Sequence, residues 1–226
     1  MVSPEHGRSS SSPSVRIEQL VRRKSRRPGE EISVTLSDAS SFFVAMRVWE
    51  ESPFHEDDEL DLNRWNEILA RSALIQARGQ ALSLLARSEH SRFLLRQKLL
   101  QRNFEHATIA NALDQLEASG ALSDERYAES WVRSRLRGHP EGRSRLVGGL
   151  RSRGIDASLA EAAVATVLEE ESISMLESAR SYVERITRRK ALPAPRIADR
   201  LYRRGFSRAV VQQVLSDLGD ELDADE

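Results

Sequence analysis

Arginine is the residue type in this chain whose spacing points most clearly to binding chemistry. The segment Trp131 to Arg153 holds seven arginines against a single acid, Glu141, and Arg180 to Arg208 holds ten basic residues against Glu184 and Asp199. Arginine presents a planar fork of N–H donors that suits phosphates and carboxylates. The two segments predict an anionic partner, although the formal net charge of the 226 residues is only −1. For any single arginine, a solvated helix face is the alternative.

Patterns that support catalysis are absent from the sequence. The chain has no cysteine, which excludes disulfides, thiolate metal sites and cysteine nucleophiles. Its five histidines are scattered without metal-ligand spacing. No Gly-rich phosphate loop and no Gly-x-Ser-x-Gly elbow occurs. We therefore predict a protein that is not an enzyme and that uses no metal and no cofactor.

The sequence also predicts where the protein resides. Residues 1–13 are polar and Ser-rich and lack the apolar core of a signal peptide, so we interpret them as a disordered leader. No apolar run approaches the length of a membrane span. We expect a cytoplasmic protein without a membrane partner.

Residues 14–46 predict a small β-like segment. Val15–Leu20, Ile32–Leu36 and Ser41–Val44 are rich in β-formers and are separated by turn signals. Such a hairpin is marginal alone and must dock on another element. Residues 47–73 follow as an acidic linker and a helix that opens at Asp61.

From residue 74 the chain repeats itself with a period of 51 residues. We predict three helical repeats, at residues 74–121, 122–171 and 172–219, and an acidic tail at 220–226. Apolar residues coincide at Leu95, Leu146 and Ile197, at Leu99, Leu150 and Leu201, and at Leu116, Val167 and Leu218. Repeats of this length indicate stacked supersecondary units that share a core. The predicted fold is mainly α, with tandem three-helix repeats forming an elongated curved body behind the small β-like segment.

Each repeat is predicted to contain three helices. In the middle repeat, Ser123 caps a helix that ends near Arg137, a second helix runs from Gly142 to Arg153, and Asp156 caps a third. The second helix of each repeat should stop in a left-handed residue. These stop residues are Asn103, Gly154 and Gly205.

The last two helices of each repeat have the size of a helix-turn-helix, so a sequence-specific DNA reader is a competing hypothesis. The third helices are poor in residues that contact base edges, which disfavours it. Trp131 and Tyr182 occupy equivalent repeat positions. Packing between helices is the favoured interpretation of both, and stacking on nucleobases is the alternative.

Three local patterns resemble the RecX family, bacterial regulators of the RecA recombinase. They lie at Arg87–Leu99, at Gly120–Ile155 and at Leu201–Phe206, within a stretch from Ala77 to Asp217 that covers about two thirds of the chain. The pattern Gly120–Ala128, Gly-Ala-Leu-Ser-Asp-Glu-Arg-Tyr-Ala, is similar to the family's central signature. The sequence departs from the family at Asn103, where a glycine is expected, and in its leader and its acidic stretch Glu50 to Asp61.

The resemblance implies a monomer that binds the RecA filament on single-stranded DNA. It implies inhibition of ATP hydrolysis and strand exchange, and hence a weaker SOS response, although the sequence leaves the sign of the effect open. A first predicted contact surface comprises Arg133, Arg135, Arg137, Arg143, Arg145, Arg151 and Arg153. A second comprises Arg188, Arg189, Lys190, Arg196, Arg200, Arg203 and Arg204. Whether these residues face RecA acids or DNA phosphates stays open. The alternatives are a general DNA-binding protein independent of RecA and a scaffold for another protein.

Overall fold

The computed structural model describes residues 13–24, 30–138, 140–188 and 192–224. The predicted leader falls outside these ranges except for Pro13, as do the predicted contact residues Arg189 and Lys190. The described residues form ten helices and four strands, which confirms the predicted mainly helical fold with an N-terminal β-segment. They divide into two compact units. Unit 1 comprises Met1–Arg87 and Arg96–Ala121, and unit 2 comprises Ser88–Leu95 and Leu122–Glu226.

Unit 1 contains an antiparallel sheet at the predicted position. Its strands are β1 (Ser14–Lys24), β2 (Glu30–Leu36), β3 (Ser41–Ala45) and β4 (Glu59–Asp61), in the order β3-β2-β1-β4. Apolar and polar residues alternate along β2, so that Ile32, Val34 and Leu36 all point into one core. The three β-like runs predicted from the sequence are therefore confirmed.

The segment predicted as an acidic linker needs correction, because it is part of this folded unit. It contains the end of a short helix, α1 (Met46–Glu51), and strand β4, which pairs with β1 through Val15 and Leu60. Phe54 is fully buried and meets the ring of Trp65 edge to face, with ring centroids 6.0 Å apart. The acidic residues of the segment lie at the surface. Two apolar residues, Phe54 and Leu60, are buried and anchor the segment to the fold.

The sheet docks on α2 (Leu62–Leu85), as the predicted hairpin required. The Asp61 carboxylate caps this helix by accepting from the backbone N–H groups of Asn63 and Arg64. Trp65 and Ile68 from its first turns are buried against the sheet. The hydroxyl of Ser72 on α2 accepts from the backbone N–H of Ala45 at 2.8 Å, which ties the end of β3 to the helix.

Eight further helices follow α2. Unit 1 also holds α4 (His106–Ala118), while α3 (Arg92–Leu100) begins in unit 2 and ends in unit 1. Unit 2 contains α5 (Asp124–Gly138), α6 (Arg143–Arg151), α7 (Ala157–Glu170), α8 (Met175–Thr187), α9 (Ala194–Arg203) and α10 (Arg208–Ala224). Helix α10 continues to Ala224, so most of the segment predicted as an acidic tail is helical.

The three predicted stop residues all adopt the left-handed conformation. Their φ angles are +62° for Asn103, +80° for Gly154 and +84° for Gly205. After Gly154, the Ile155 N–H donates to the Leu150 carbonyl at 3.2 Å and the Gly154 N–H donates to the Arg151 carbonyl. The turns at Asn103 and Gly205 have the same two bonds, so all three are Schellman motifs spaced 51 residues apart.

Two apolar cores hold unit 2 together. The core of α5 to α7 centres on Val132, Leu146 and Val164, and the core of α8 to α10 centres on Val183 and Leu201. These residues face inward because apolar positions recur every three to four residues along each helix.

The predicted cap of α7, Asp156, is confirmed, and it makes the stability of the fold depend on pH. The Asp156 carboxylate accepts from the N–H of Ser158 at 2.8 Å and from its hydroxyl. Hydrogen bonds from the Ser158 hydroxyl and backbone lower the pKa of Asp156 below its usual value. The stabilisation is therefore complete above the usual carboxylate range and lost as pH falls through the lowered pKa.

We expect Asp156→Ala to lower the melting temperature at pH 7 and to lower it less at a pH below the lowered pKa of Asp156, because the wild-type cap is then protonated. Thermal unfolding followed by circular dichroism across this range measures the effect. Asp156→Asn is the matched control, since asparagine also caps a helix but does not titrate. An equal loss for Asp156→Ala at both pH values would contradict this account of the cap.

Candidate interaction surface

The acid that sequence analysis noted as alone among seven arginines, Glu141, is the centre of a charge cluster. Its side chain is 1% exposed. Arg135 from α5 donates to both carboxylate oxygens, through Nη2 at 2.5 Å and Nε at 3.2 Å. Arg145 from α6 donates to Oε1 at 3.2 Å, and Arg204, which follows α9, lies 3.8 Å from the same oxygen. We call Glu141, Arg135, Arg145 and Arg204 the Glu141 cluster.

The cluster joins α6 to the turn that ends α9. The Gly142 N–H donates to the Arg204 carbonyl at 2.8 Å, and Arg145 Nη1 donates to the Arg203 carbonyl at 3.0 Å. The Ser144 hydroxyl donates to the Gly205 carbonyl at 2.9 Å. We call this contact the α6–α9 joint. The start of α6, the second helix of its repeat, thus packs on the Schellman turn after α9, which is the second helix of the following repeat.

The same contact occurs 51 residues earlier within unit 2. The Ser91 hydroxyl donates to the Arg153 carbonyl at 2.7 Å, where Ser91 corresponds to Gly142 and Arg153 to Arg204. The Arg92 N–H donates to the Asp124 carboxylate at 2.7 Å, and Phe93 packs against Gly154. The joint is therefore a repeated feature, which the sequence period did not reveal.

Trp131 and Tyr182 carry stacked guanidinium groups at the repeat spacing. Arg153 lies 4.8 Å from the ring centroid of Trp131, and Arg204 lies 4.9 Å from that of Tyr182. Arg153 also donates to the Gly149 carbonyl at 2.8 Å. These contacts support the packing interpretation of both aromatics. Burial raises the pKa of the neighbouring Tyr127 phenol, an effect that Arg153 opposes.

Arg133 of the first predicted contact surface is engaged within the fold. It pairs with Glu129 at 3.2 Å on its own helix and with Glu170 at 2.5 Å and Glu171 at 3.3 Å at the end of α7. The hydrogen bond that Arg133 donates to Glu170 raises the pKa of Arg133. The side chain is only 29% exposed, so the main role visible for Arg133 is to hold α5 against α7.

The remaining predicted contact residues are more open to solvent. Arg203 is exposed and pairs with Asp199 one turn earlier, at 3.2 Å. Six exposed arginines form no ion pair with any of the described residues. They are Arg137, Arg143, Arg151, Arg188, Arg196 and Arg200. The structure therefore divides the described residues of the two predicted contact surfaces into arginines with contacts inside the fold and arginines without an ion pair.

Two grooves flank α6. The first groove lies beside α6, Glu161 of α7 and the turn that precedes α10, and we call it the α6–α10 groove. It is about 520 Å³ in volume and is lined by Arg143, Val147, Arg151, Glu161 and Ser207, among others. The α5–α6 groove, about 370 Å³ in volume, is lined by Trp131, Arg135, Glu141, Arg145, Gly149 and Arg153. Gly148 lines both. Among the described residues, no cluster of histidines and acids is arranged to hold a metal, and no helix is long and apolar enough to cross a bilayer.

Comparisons with protein families give a consistent result over the helical region. The model of the first three-helix domain of RecX matches residues 77–116, and that of the second matches residues 123–164. A regulatory protein RecX of Halorhodospira halophila (strain DSM 244 / SL1) is 38% identical over 145 residues, which cover 61% of this chain and 85% of that protein. The regulatory protein RecX of Treponema pallidum (strain Nichols) is 33% identical over 141 residues, covering 62% and 84%.

Solved structures show the same fold. A crystal structure of a regulatory protein RecX matches with a TM-score of 0.64 at 20% identity, over 88% of this chain and 98% of that one. The crystal structure of RecX from Lactobacillus salivarius matches with a TM-score of 0.58 at 21% identity, over 66% of this chain and 98% of that one. The first match is long enough to extend beyond the helical domains.

Proposed function

Because this chain belongs to the RecX family of regulatory proteins, we propose that it binds the RecA filament on single-stranded DNA and inhibits its ATP hydrolysis and strand exchange. The resulting effect is to limit recombination and the SOS response in the cytoplasm. The protein acts as a monomer, by binding and not by catalysis. The family membership supports the choice of partner.

The observation that carries the proposal is the set of exposed arginines without ion pairs on unit 2. Arg143 and Arg151 lie two turns apart on α6, and Arg196 and Arg200 lie one turn apart on α9. A guanidinium that has no internal ion pair can form a charge-assisted hydrogen bond with a phosphate or a carboxylate of the filament. Several such contacts, each weak, add up when one protein touches more than one filament subunit.

The direct test is RecA ATPase activity on single-stranded DNA, titrated with this protein. We expect inhibition at less than one molecule per RecA monomer. Stimulation of the ATPase would reverse the proposed sign. No effect from the folded protein, together with RecA-independent DNA binding that weakens steeply with salt, would favour the general DNA-binding alternative.

The triple variant Arg143→Gln, Arg151→Gln and Arg200→Gln is expected to raise the concentration for half-inhibition about tenfold, since exposed charge contacts contribute up to about 1 kcal/mol each. The control triple is Arg64→Gln, Arg78→Gln and Arg87→Gln. These three arginines of unit 1 are also exposed, and their replacement changes the net charge equally. If both triples inhibit equally well, the contact surface is wrongly assigned.

A further inference from the structure

Helix α6 contains two glycines in its interior, and only one of them is explained by packing. A Cβ built on Gly149 would lie 2.4 Å from the Trp131 ring, so only glycine fits there. A Cβ built on Gly148 meets no atom within 4 Å, and the residue is exposed. In the interior of an exposed helix, glycine makes the helix less stable than alanine does. The fold therefore has no packing requirement for glycine at position 148.

The position of Gly148 suggests a different requirement. It lies between the α6–α10 groove, with Arg143 and Arg151, and the α5–α6 groove, with Arg135, Arg145 and Arg153. A glycine lets another chain approach the helix backbone closely, because no side chain intervenes. A molecule that occupies both grooves can cross α6 at this point.

The two grooves carry more positive than negative charge. Among the described residues that line the α5–α6 groove, Glu141 is the one acid, and it already contacts Arg135, Arg145 and Arg204. Each guanidinium has five N–H donors, and the hydrogen bonds described for Arg145 use its Nε and Nη1. Glu161 is the acid of the α6–α10 groove, and its backbone carbonyl accepts from Arg143 at 3.5 Å. An added anion would offset the charge surplus.

We propose that single-stranded nucleic acid crosses α6 at Gly148, with its phosphates held by Arg143 and Arg151 on one side and by Arg145 and Arg153 on the other. The choice of ligand rests on the proposed function, which brings the protein to single-stranded DNA. Arg153 occupies one face of Trp131, and Gly149 packs against the same ring. Recognition therefore uses backbone charge and not base stacking, so binding is independent of base sequence.

The test uses substitutions that improve the helix while obstructing the crossing. Gly148→Ala should raise the melting temperature and weaken binding of a fluorescein-labelled oligothymidylate of about twenty nucleotides by about threefold, and Gly148→Leu by about tenfold or more. Binding is measured by anisotropy without RecA over a range of salt concentrations. Gly219→Ala is the control, because Gly219 is also helical and exposed and has no atom within 4 Å of a built Cβ. It should raise the melting temperature and leave the affinity unchanged.

The outcomes separate this inference from the proposed function. Unchanged oligonucleotide affinity in both Gly148 variants, or no binding by the wild type, would overturn the crossing site even if RecA is inhibited. Loss of binding in the Gly148 variants would support the site even if RecA is unaffected. Polyglutamate that competes as well as unlabelled oligothymidylate at equal charge would overturn the nucleic-acid assignment in favour of an acidic protein surface.

Discussion

Gly142→Ala is expected to lower the free energy of unfolding by about 3 kcal/mol, near the upper end of the usual range for overpacking. The backbone at Gly142, with φ −77° and ψ 161°, suits any residue, so the substitution introduces no local strain. The added Cβ would lie 2.1 Å from the carbonyl carbon and oxygen of Gly205. Those atoms belong to a Schellman turn and cannot move without breaking its hydrogen bonds. The 2.8 Å bond from the Gly142 N–H to the Arg204 carbonyl should be lost as well.

Urea unfolding followed by circular dichroism measures this loss, with the slope of the transition reporting on cooperativity. If the α6–α9 joint opens while each three-helix core persists, the transition becomes broader or separates into two steps. Gly219→Ala again serves as the control, since its added methyl group has free space. A loss below about 1 kcal/mol for Gly142→Ala would mean that the joint is not tightly packed in solution.

The joint also explains why Asn103 is acceptable where the resemblance leads one to expect glycine. All three stop residues have positive φ, a conformation that asparagine tolerates better than most residues. At Gly154 and Gly205, a Cβ would lie 2.2 Å from Phe93 Cβ and 2.6 Å from Arg145 Cβ, respectively. Asn103 is exposed. The turn itself therefore requires only a left-handed residue, and packing at the two joints requires glycine.

Glu141→Ala is the second substitution with a large expected effect, a loss of about 2–3 kcal/mol. Removing one partner of a buried ion pair costs about 3–5 kcal/mol. We reduce that value because Arg135 and Arg145 are 40% and 50% exposed, so water partly solvates the arginines left behind. Three guanidiniums that now share one carboxylate would repel one another in the variant.

The size of this repulsion can be measured through its dependence on salt. Raising the ionic strength should recover part of the stability of Glu141→Ala, because salt screens repulsion between partly exposed charges. Asp199→Ala is the control, since it removes an acid that pairs with one exposed arginine on the same helix, and it should cost at most about 0.5 kcal/mol. Equal stability of Glu141→Ala and wild type would show that the Glu141 cluster does not hold α6 to α9.

The sequence was sufficient to predict the elements that depend on near neighbours. Helix caps at Asp61, Ser123 and Asp156, and the stop at Gly154, are decided within four or five residues, by one side-chain oxygen or one left-handed residue. The period of 51 residues identified equivalent positions, because the same apolar side chains must face inward in each repeat.

The tertiary structure alone decided which arginines are open to a partner. Arg133 and Arg151 are chemically alike and lie in the same basic segment, yet Arg133 meets Glu170 across 37 positions while Arg151 stays exposed. In the same way, β4 is identified as a strand only by its pairing with β1. Glu141 contacts Arg204 only because the fold brings α6 to the end of α9. An ion pair or a strand pairing depends on distance in space. Local periodicity indicates which face of an element is buried, but it does not identify the residues that lie opposite that face.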